Sequence, residues 1–92
     1  MIKLARLKVS GRVQGMFYRG EAQIQALKLG LKGYAQNNRD GSVTVVAVGE
    51  EYALQQMIGW CWKGPDAAQA ENVEVTYEEL KPDEQFTGFG IY

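Results

Sequence analysis

The fold is decided by residues 5–19, which read ARLKVSGRVQGMFYR. Apolar and polar side chains alternate from Ala5 to Ser10, a pattern typical of a strand with one buried face. Gly11 and Gly15 then bracket a loop that leads into a helical pattern beginning near Arg19. Such a strand–loop–helix unit turns main-chain N–H groups inward at a helix N-terminus, where an anion is attracted. Because the arginine adds a permanent charge and a planar fork that suits phosphate oxygens, we interpret residues 11–19 as an oxyanion cradle for a phosphoryl group.

The elements that follow the cradle predict the topology. Ala22, Ala26 and Leu29 recur at helical spacing, and Gly30 is suited to end this helix in a left-handed conformation. A strand follows from Gly33 to Asn37, then a hairpin turn at Asp40-Gly41 and a strand from Val43 to Val48. The second helix has the apolar stripe Leu54, Met57, Ile58 and Cys61 and is closed by Gly64-Pro65. A strand at Val73 and Val75 and a short strand at Phe89 and Ile91 complete the order. Residues 64–70 and 81–85 are predicted to be loops. The order predicts an α+β fold of the split β-α-β-β-α-β plan, a mostly antiparallel sheet with two helices on one face and a fifth strand at its edge.

Size and composition predict a single globular domain over residues 1–92. Hydrophobic residues make up 46% of the chain and charged residues 23%, which is enough for one core. The net charge of -1 argues against nucleic acid as a partner, since such binding depends on a basic surface. No apolar run reaches the ~20 residues that span a bilayer, and no signal peptide precedes the first strand. With Cys61 as the single cysteine, we expect a cytoplasmic protein that has no membrane partner and acts as a monomer.

What the chain lacks narrows the chemistry of the cradle. Gly15 is followed by Met16 and not by the Lys-Ser/Thr pair of a Walker loop. Cys61 lies on the apolar stripe of the second helix, so we interpret it as a core residue and not as a phosphatase nucleophile. There is no histidine, and the scattered carboxylates do not resemble a di-metal site. The sequence therefore offers neither a nucleophile nor a general base.

Outside the cradle, Asn37 can hold a water molecule through its amide group. A site without a general acid does not readily cleave an alkyl phosphate, because the departing alkoxide needs a proton. A mixed anhydride of phosphate and a carboxylic acid is different, because the carboxylate has a conjugate acid of pKa ~4 and leaves unaided. Since positioning and charge stabilisation then suffice, the missing groups select an acyl phosphate as the substrate.

Two segments resemble the motifs of the acylphosphatase family. Residues 11–19, GRVQGMFYR, resemble its first motif, and residues 33–37, GYAQN, resemble its second. The match continues through residues 40–43 and Gly64-Pro65, so it covers nearly the whole chain, and the length suits a free-standing member. Met16 stands where a valine is more usual and Tyr34 where a tryptophan is frequent.

The resemblance implies a ferredoxin-like fold and hydrolysis of acyl phosphates to a carboxylate and inorganic phosphate, without metal or cofactor. It makes Arg19 and Asn37 the catalytic residues. Asn37 matches the asparagine that orients the attacking water, while the phosphate of the substrate takes the proton. Arg19 matches the arginine that binds the phosphate together with the main-chain amides of Val13, Gln14, Gly15, Met16, Phe17 and Tyr18. Inorganic phosphate is then both product and inhibitor.

Simpler roles are available for several of these residues. Taken alone, Arg19 would be a residue at the start of the helix that pairs with Glu21 or another surface acid. Phe17 and Tyr18 are interpreted as packing residues at the start of the helix and not as substrate contacts. Arg12 is interpreted as a solvated loop residue that adds positive potential around the cradle.

Two other functions fit the same topology. An RNA-recognition module would carry aromatic residues on its two central strands to stack on bases, but residues 4–10 and 42–48 contain none. A sensor domain that binds a phosphorylated ligand without turning it over would share the cradle, and the sequence leaves that alternative open.

Overall fold

The computed structural model of the chain describes residues 1–80 and 86–92. In chain order its elements are β1 (Ile2–Arg12), α1 (Tyr18–Lys28), β2 (Lys32–Asn37), β3 (Val43–Glu50), α2 (Glu51–Lys63), β4 (Gln69–Glu78) and β5 (Phe89–Ile91). The predicted ends of both helices are confirmed, since Gly30 has a φ of 72° just beyond α1 and Gly64 caps α2 with a φ of 61°. The loop predicted at residues 81–85 lies outside the described residues. Within the described ranges, no helix is both long enough and apolar enough to span a membrane.

The five strands form one sheet in the order β4-β1-β3-β2-β5. All neighbouring strands are antiparallel except β2 and β5, which run parallel. This confirms the split β-α-β-β-α-β plan, with the short β5 added at the edge beside β2. The Asp40-Gly41 turn joins β2 to β3 as predicted, and Gly41 has a φ of 92° there.

Both helices pack on one face of the sheet and enclose the main core. The alternating residues of β1 and β3 point into this layer and are completely buried, namely Ala5, Leu7, Val9, Val43, Val45 and Ala47. From the helices, Ala22 and Ala26 of α1 and Leu54, Met57 and Cys61 of α2 are equally buried. Burial of a Val or Leu side chain contributes about 1.5–3 kcal/mol, so this layer holds α1, and with it the cradle, against the sheet.

The opposite face of the sheet carries a smaller apolar cluster. It consists of the buried Leu4, Val46 and Val48, with Tyr34 and Phe86 packed against them. The alternation of apolar and polar residues in the sequence predicts only one buried face, so this second apolar face is not expected from it. The rings of Tyr34 and Phe86 cover the cluster, with their centroids 6.0 Å apart.

The strands next to the cradle extend further than predicted. Arg12 is the last residue of β1, where it pairs with Gln69, so its interpretation as a loop residue is wrong. The predicted loop at residues 64–70 is wrong at its end for the same reason, because β4 already begins at Gln69. A shift in register after Ser10 allows this pairing to continue, and it brings Gly11 against β4. With a φ of 118° at Gly11, a Cβ atom there would lie 2.7 Å from the main-chain nitrogen of Glu71, so only glycine fits.

Candidate active site

The cradle turns sharply between the end of β1 and the start of α1. Gly15 has a φ of 77°, and Phe17, the residue before the helix, has a φ of 59°. No side chain caps the N-terminus of α1. The first N–H groups of a helix lack partners within the helix, so those of α1 are left for a ligand at its positive end.

Beside the cradle lies an open cavity of about 270 Å³. Its lining residues are Val13, Gly15, Phe17, Tyr18, Arg19, Gly20, Asn37 and Ile91. The cavity thus joins the two predicted catalytic residues, Arg19 and Asn37, although they come from different elements. Among the described residues that line it, Arg19 alone carries a charge, so the cavity is positively charged.

A main-chain oxygen of Tyr92 fixes the position of Arg19. Arg19 Nη1 donates a hydrogen bond to this oxygen at 2.6 Å, and the Asn37 N–H group donates to the same oxygen at 3.2 Å. In the described part of the chain the guanidinium group makes no ion pair with an Asp or Glu side chain, so the alternative pairing with Glu21 or another surface acid of that part is wrong. One oxygen thus holds Arg19 beside the strand that carries Asn37, and no residue type in the sequence signals this contact.

The side chain of Asn37 contains an unpaired acceptor. Asn37 is the last residue of β2 and shares the helix-covered face with the buried Ala35. Its Oδ1 atom is buried and accepts no hydrogen bond from any residue that the structure describes. A buried acceptor without a donor costs about 1–3 kcal/mol, so Asn37 Oδ1 favours a donor that is not part of the protein.

Gln14 connects the cradle to the β2–β3 turn through its side chain. Its Nε2 atom donates to the main-chain oxygens of Asn38, at 2.6 Å, and of Ser42, at 2.8 Å. Asn38, whose contacts could not be predicted, uses its own Nδ2 atom on Ser42 Oγ and Thr44 Oγ1, at 2.9 and 2.8 Å. The residue after Asn37 therefore stabilises the turn, and Gln14 holds that turn against the cradle.

The turn is tied to the sheet by charge as well. The Ser42 main-chain N–H and hydroxyl both donate to Asp40 Oδ1, and Lys8 Nζ lies 3.0 Å from Asp40 Oδ2. The two hydrogen bonds from Ser42, followed by the one from Lys8, hold the pKa of the Asp40 carboxyl well below its usual range. The β2–β3 turn thus has a defined conformation next to Asn37.

Neither the Tyr18 hydroxyl, which belongs to a residue of the cavity lining, nor the thiol of its partner Cys61 is suited to chemistry near neutral pH. Burial raises the pKa of the Tyr18 hydroxyl, which donates to the main-chain oxygen of Cys61 at 2.7 Å. Burial also raises the pKa of the Cys61 thiol to about 12, which confirms Cys61 as a core residue. The described residues contain no group of three or more His, Cys, Asp or Glu side chains placed to hold a metal ion.

The other predicted residues of the cradle take different positions. Tyr18 packs in the core as expected, with its ring centroid 5.2 Å from that of Trp60. Phe17 was expected to pack too, but it is 85% exposed, and its main chain is in the left-handed conformation. Met16 is partly buried against the core. Of the residues predicted to bind the phosphate, Gln14 and Met16 are therefore not among those that line the cavity.

Comparison with known proteins identifies the family. The acylphosphatase family profile matches residues 5–91. An acylphosphatase of Xanthomonas oryzae pv. oryzae is 46% identical over 85 residues, which cover 92% of this chain and 97% of that protein. An acylphosphatase of Pelotomaculum thermopropionicum is 40% identical over 87 residues, covering 95% and 92% of the two chains. The crystal structure of the acylphosphatase from Bacillus subtilis superposes with a TM-score of 0.91 at 32% identity, over 100% of this chain and 99% of that one. With its cradle, its arginine and its asparagine in these positions, the chain belongs to the acylphosphatase family.

Proposed function

We propose that the protein is an acylphosphatase (EC 3.6.1.7) that hydrolyses acyl phosphates to a carboxylate and inorganic phosphate. The observation that carries this proposal is the unpaired Oδ1 atom of Asn37, which belongs to the same cavity as Arg19 and the uncapped end of α1. Family membership supports the same reaction. The positive groups would hold the phosphoryl group, and Asn37 would hold the water that attacks it.

In the proposed mechanism the phosphoryl oxygens accept hydrogen bonds from main-chain amides of Val13, Gln14, Gly15, Met16, Phe17 and Tyr18. The Arg19 guanidinium group neutralises the negative charge of the phosphoryl oxygens that the main-chain hydrogen bonds do not offset. Two unit charges 4 Å apart near a protein surface interact by about 4 kcal/mol, which is sufficient to order a small anion. The contact between Arg19 and Tyr92 keeps the guanidinium group from searching other rotamers before substrate arrives.

Asn37 Oδ1 accepts a hydrogen bond from the attacking water and so directs a lone pair of the water oxygen at phosphorus. A P–O bond forms to the water while the P–O bond to the carboxylate breaks with its electron pair. The carboxylate leaves without protonation, since its conjugate acid has a pKa of about 4. A phosphate oxygen takes the proton of the water, so no side chain acts as a base.

The test is a metal-free assay. In the presence of EDTA the purified protein should hydrolyse acetyl phosphate and benzoyl phosphate, and inorganic phosphate should inhibit competitively. Arg19→Ala should raise the inhibition constant of phosphate about 10- to 100-fold, because a charge-assisted hydrogen-bonding group is lost. Asn37→Ala should lower kcat about 100-fold or more while the inhibition constant of phosphate changes little.

Matched controls come from exposed residues of the same types. Arg39, in the β2–β3 turn, and Asn72, on β4, are both exposed, and their alanine variants should behave as the unchanged protein. A requirement for a divalent metal, or full activity of Asn37→Ala, would contradict the mechanism. Binding of phosphate without any turnover would favour the sensor alternative.

The remaining features of the proposal concern the setting of the enzyme. We place it in the cytoplasm as a monomer, with a small-molecule acyl phosphate as substrate and without a nucleic-acid or membrane partner. The single cysteine supports a reducing compartment, and its burial in α2 keeps it from intermolecular disulfides.

A further inference from the structure

Phe17 is a bulky residue whose conformation the fold itself does not explain. Its φ of 59° and ψ of 20° are left-handed values, which are rarely seen for large side chains and raise the free energy of the folded state. Its ring is 85% exposed, so packing does not offset this strain. Glycine or asparagine adopts the same main-chain conformation more easily. Strain without compensation in the fold points to a role toward a ligand.

The position of Phe17 indicates which part of a ligand it meets. Phe17 lines the 270 Å³ cavity together with Arg19 and Asn37, and it is the residue immediately before the uncapped N-terminus of α1. The same cavity is lined by Ile91 of β5, which is 40% exposed. Two exposed apolar side chains from separate elements therefore line the cavity that we propose binds the phosphoryl group.

The direction of the proposed reaction places the acyl group between them. The phosphoryl group is held by the cradle, and water attacks phosphorus from the side of Asn37. In such a displacement the leaving oxygen is roughly opposite the attacking one. The carboxyl end of the substrate, and the chain attached to it, must then point out of the cavity, past its apolar border.

We propose that Phe17 and Ile91 form an acyl-binding surface that makes the enzyme prefer acyl phosphates with an aromatic or other apolar acyl group. This inference rests on the proposed function and specifies its substrate class. An aromatic acyl group gains ring–ring contact with Phe17 and loses apolar surface to water against Ile91. An acetyl group offers less apolar surface to these side chains, and an acyl group with a second charge would lose hydration there.

The test compares benzoyl phosphate with acetyl phosphate by the ratio of their kcat/KM values. The ratio cancels any effect of a substitution on phosphoryl transfer itself, because both substrates present the same phosphoryl group. Phe17→Asn, which tolerates the left-handed conformation, should lower the ratio about two- to tenfold, the size of an aromatic pair contact. Ile91→Ser should lower it in the same direction. The control is Tyr52→Asn, which changes an exposed aromatic residue of α2 that does not line the cavity and should leave the ratio unchanged.

A binding measurement separates this inference from the proposed function. Calorimetry with acetylphosphonate and benzoylphosphonate, whose C–P bonds resist hydrolysis, should give tighter binding of the benzoyl compound, and Phe17→Asn should remove this difference. If the protein binds both compounds with that preference but hydrolyses neither phosphate, the hydrolytic function fails and the acyl surface stands. If the kcat/KM ratio and the binding preference stay within twofold of the unchanged protein in both Phe17→Asn and Ile91→Ser, the acyl surface is refuted while hydrolysis stands.

Discussion

Replacement of Gln14 by glutamate should separate the cradle from the β2–β3 turn, which directly follows Asn37, the proposed catalytic asparagine. Gln14 Nε2 donates two hydrogen bonds, to the main-chain oxygens of Asn38 and Ser42. A glutamate of the same shape has no donor when ionised, and its carboxylate would face two carbonyl oxygens. Loss of two hydrogen bonds between neutral groups lowers the free energy of unfolding by about 1–3 kcal/mol. For a chain of this size that corresponds to a fall in Tm of about 4–8 °C per kcal/mol.

The effect on catalysis should exceed what the loss of stability explains. Asn38 is adjacent to Asn37, so release of the Asn38 carbonyl group should loosen the residue that we propose holds the water. A displacement of about 1 Å in a positioning group can reduce turnover about 100-fold, and we expect kcat to fall toward that value under conditions where the variant is fully folded. Acidic pH should partly restore stability relative to the unchanged protein, because a protonated glutamate regains one donor.

Urea unfolding, monitored by tryptophan fluorescence, measures the free energy of unfolding. Hydrolysis of benzoyl phosphate at 25 °C in buffer without urea measures kcat. Gln36→Glu is the matched control. Because Gln36 is exposed on β2, this substitution introduces the same charge near the site without removing the hydrogen bonds that hold the turn. If Gln14→Glu unfolds at the same urea concentration as Gln36→Glu and keeps its kcat, Gln14 does not hold the turn and the reasoning fails.

Three further predictions concern Tyr18 of α1 and Cys61 of α2. Tyr18→Phe should reduce the free energy of unfolding by about 1–3 kcal/mol, since the buried Cys61 carbonyl near the C-terminus of α2 loses its donor; an unchanged Tm in calorimetry would contradict this. The Cys61 thiol should react with a disulfide reagent at pH 8 about 100-fold or more slowly in the native protein than after unfolding in guanidinium, because burial raises its pKa to about 12. The free energy of unfolding should accordingly fall as pH rises from about 9 toward 12, where the thiol ionises in the unfolded chain but not in the folded one. A native labelling rate equal to that of free cysteine would count against the buried thiol. So would a free energy of unfolding that stays level across this pH range.

The pattern of side chains predicted the helices and strands of this fold well, whereas contacts between main-chain groups produce no pattern in the sequence. Ala5, Leu7 and Val9 alternate because one face of β1 is buried, and the sequence shows this directly. The start of β4 at Gln69 was missed because it depends on a change in register opposite Gly11, and neither residue has a strand preference of its own.

The candidate site shows the same division. Arg19 and Asn37 could be selected because their side-chain types suit the proposed chemistry, and the structure brings them to one cavity. Tyr92 could not be selected from the sequence, because it contacts Arg19 through a main-chain oxygen, which every residue possesses. Phe17 was assigned to packing because aromatic residues usually pack, and only its left-handed main chain reveals that the ring faces outward.

The position of β1 in the sheet has a consequence for how the protein is made. β1 leaves the ribosome before the other strands of the sheet, but its neighbours are β3 and β4, and Arg19 is held by Tyr92, 73 residues later. Pairings between such distant segments close slowly, since the chain must lose the entropy of the loop before the contacts form. A nascent chain therefore carries a cradle whose arginine stays unanchored until Tyr92 has been made. Enzymatic activity should not appear before that point of synthesis.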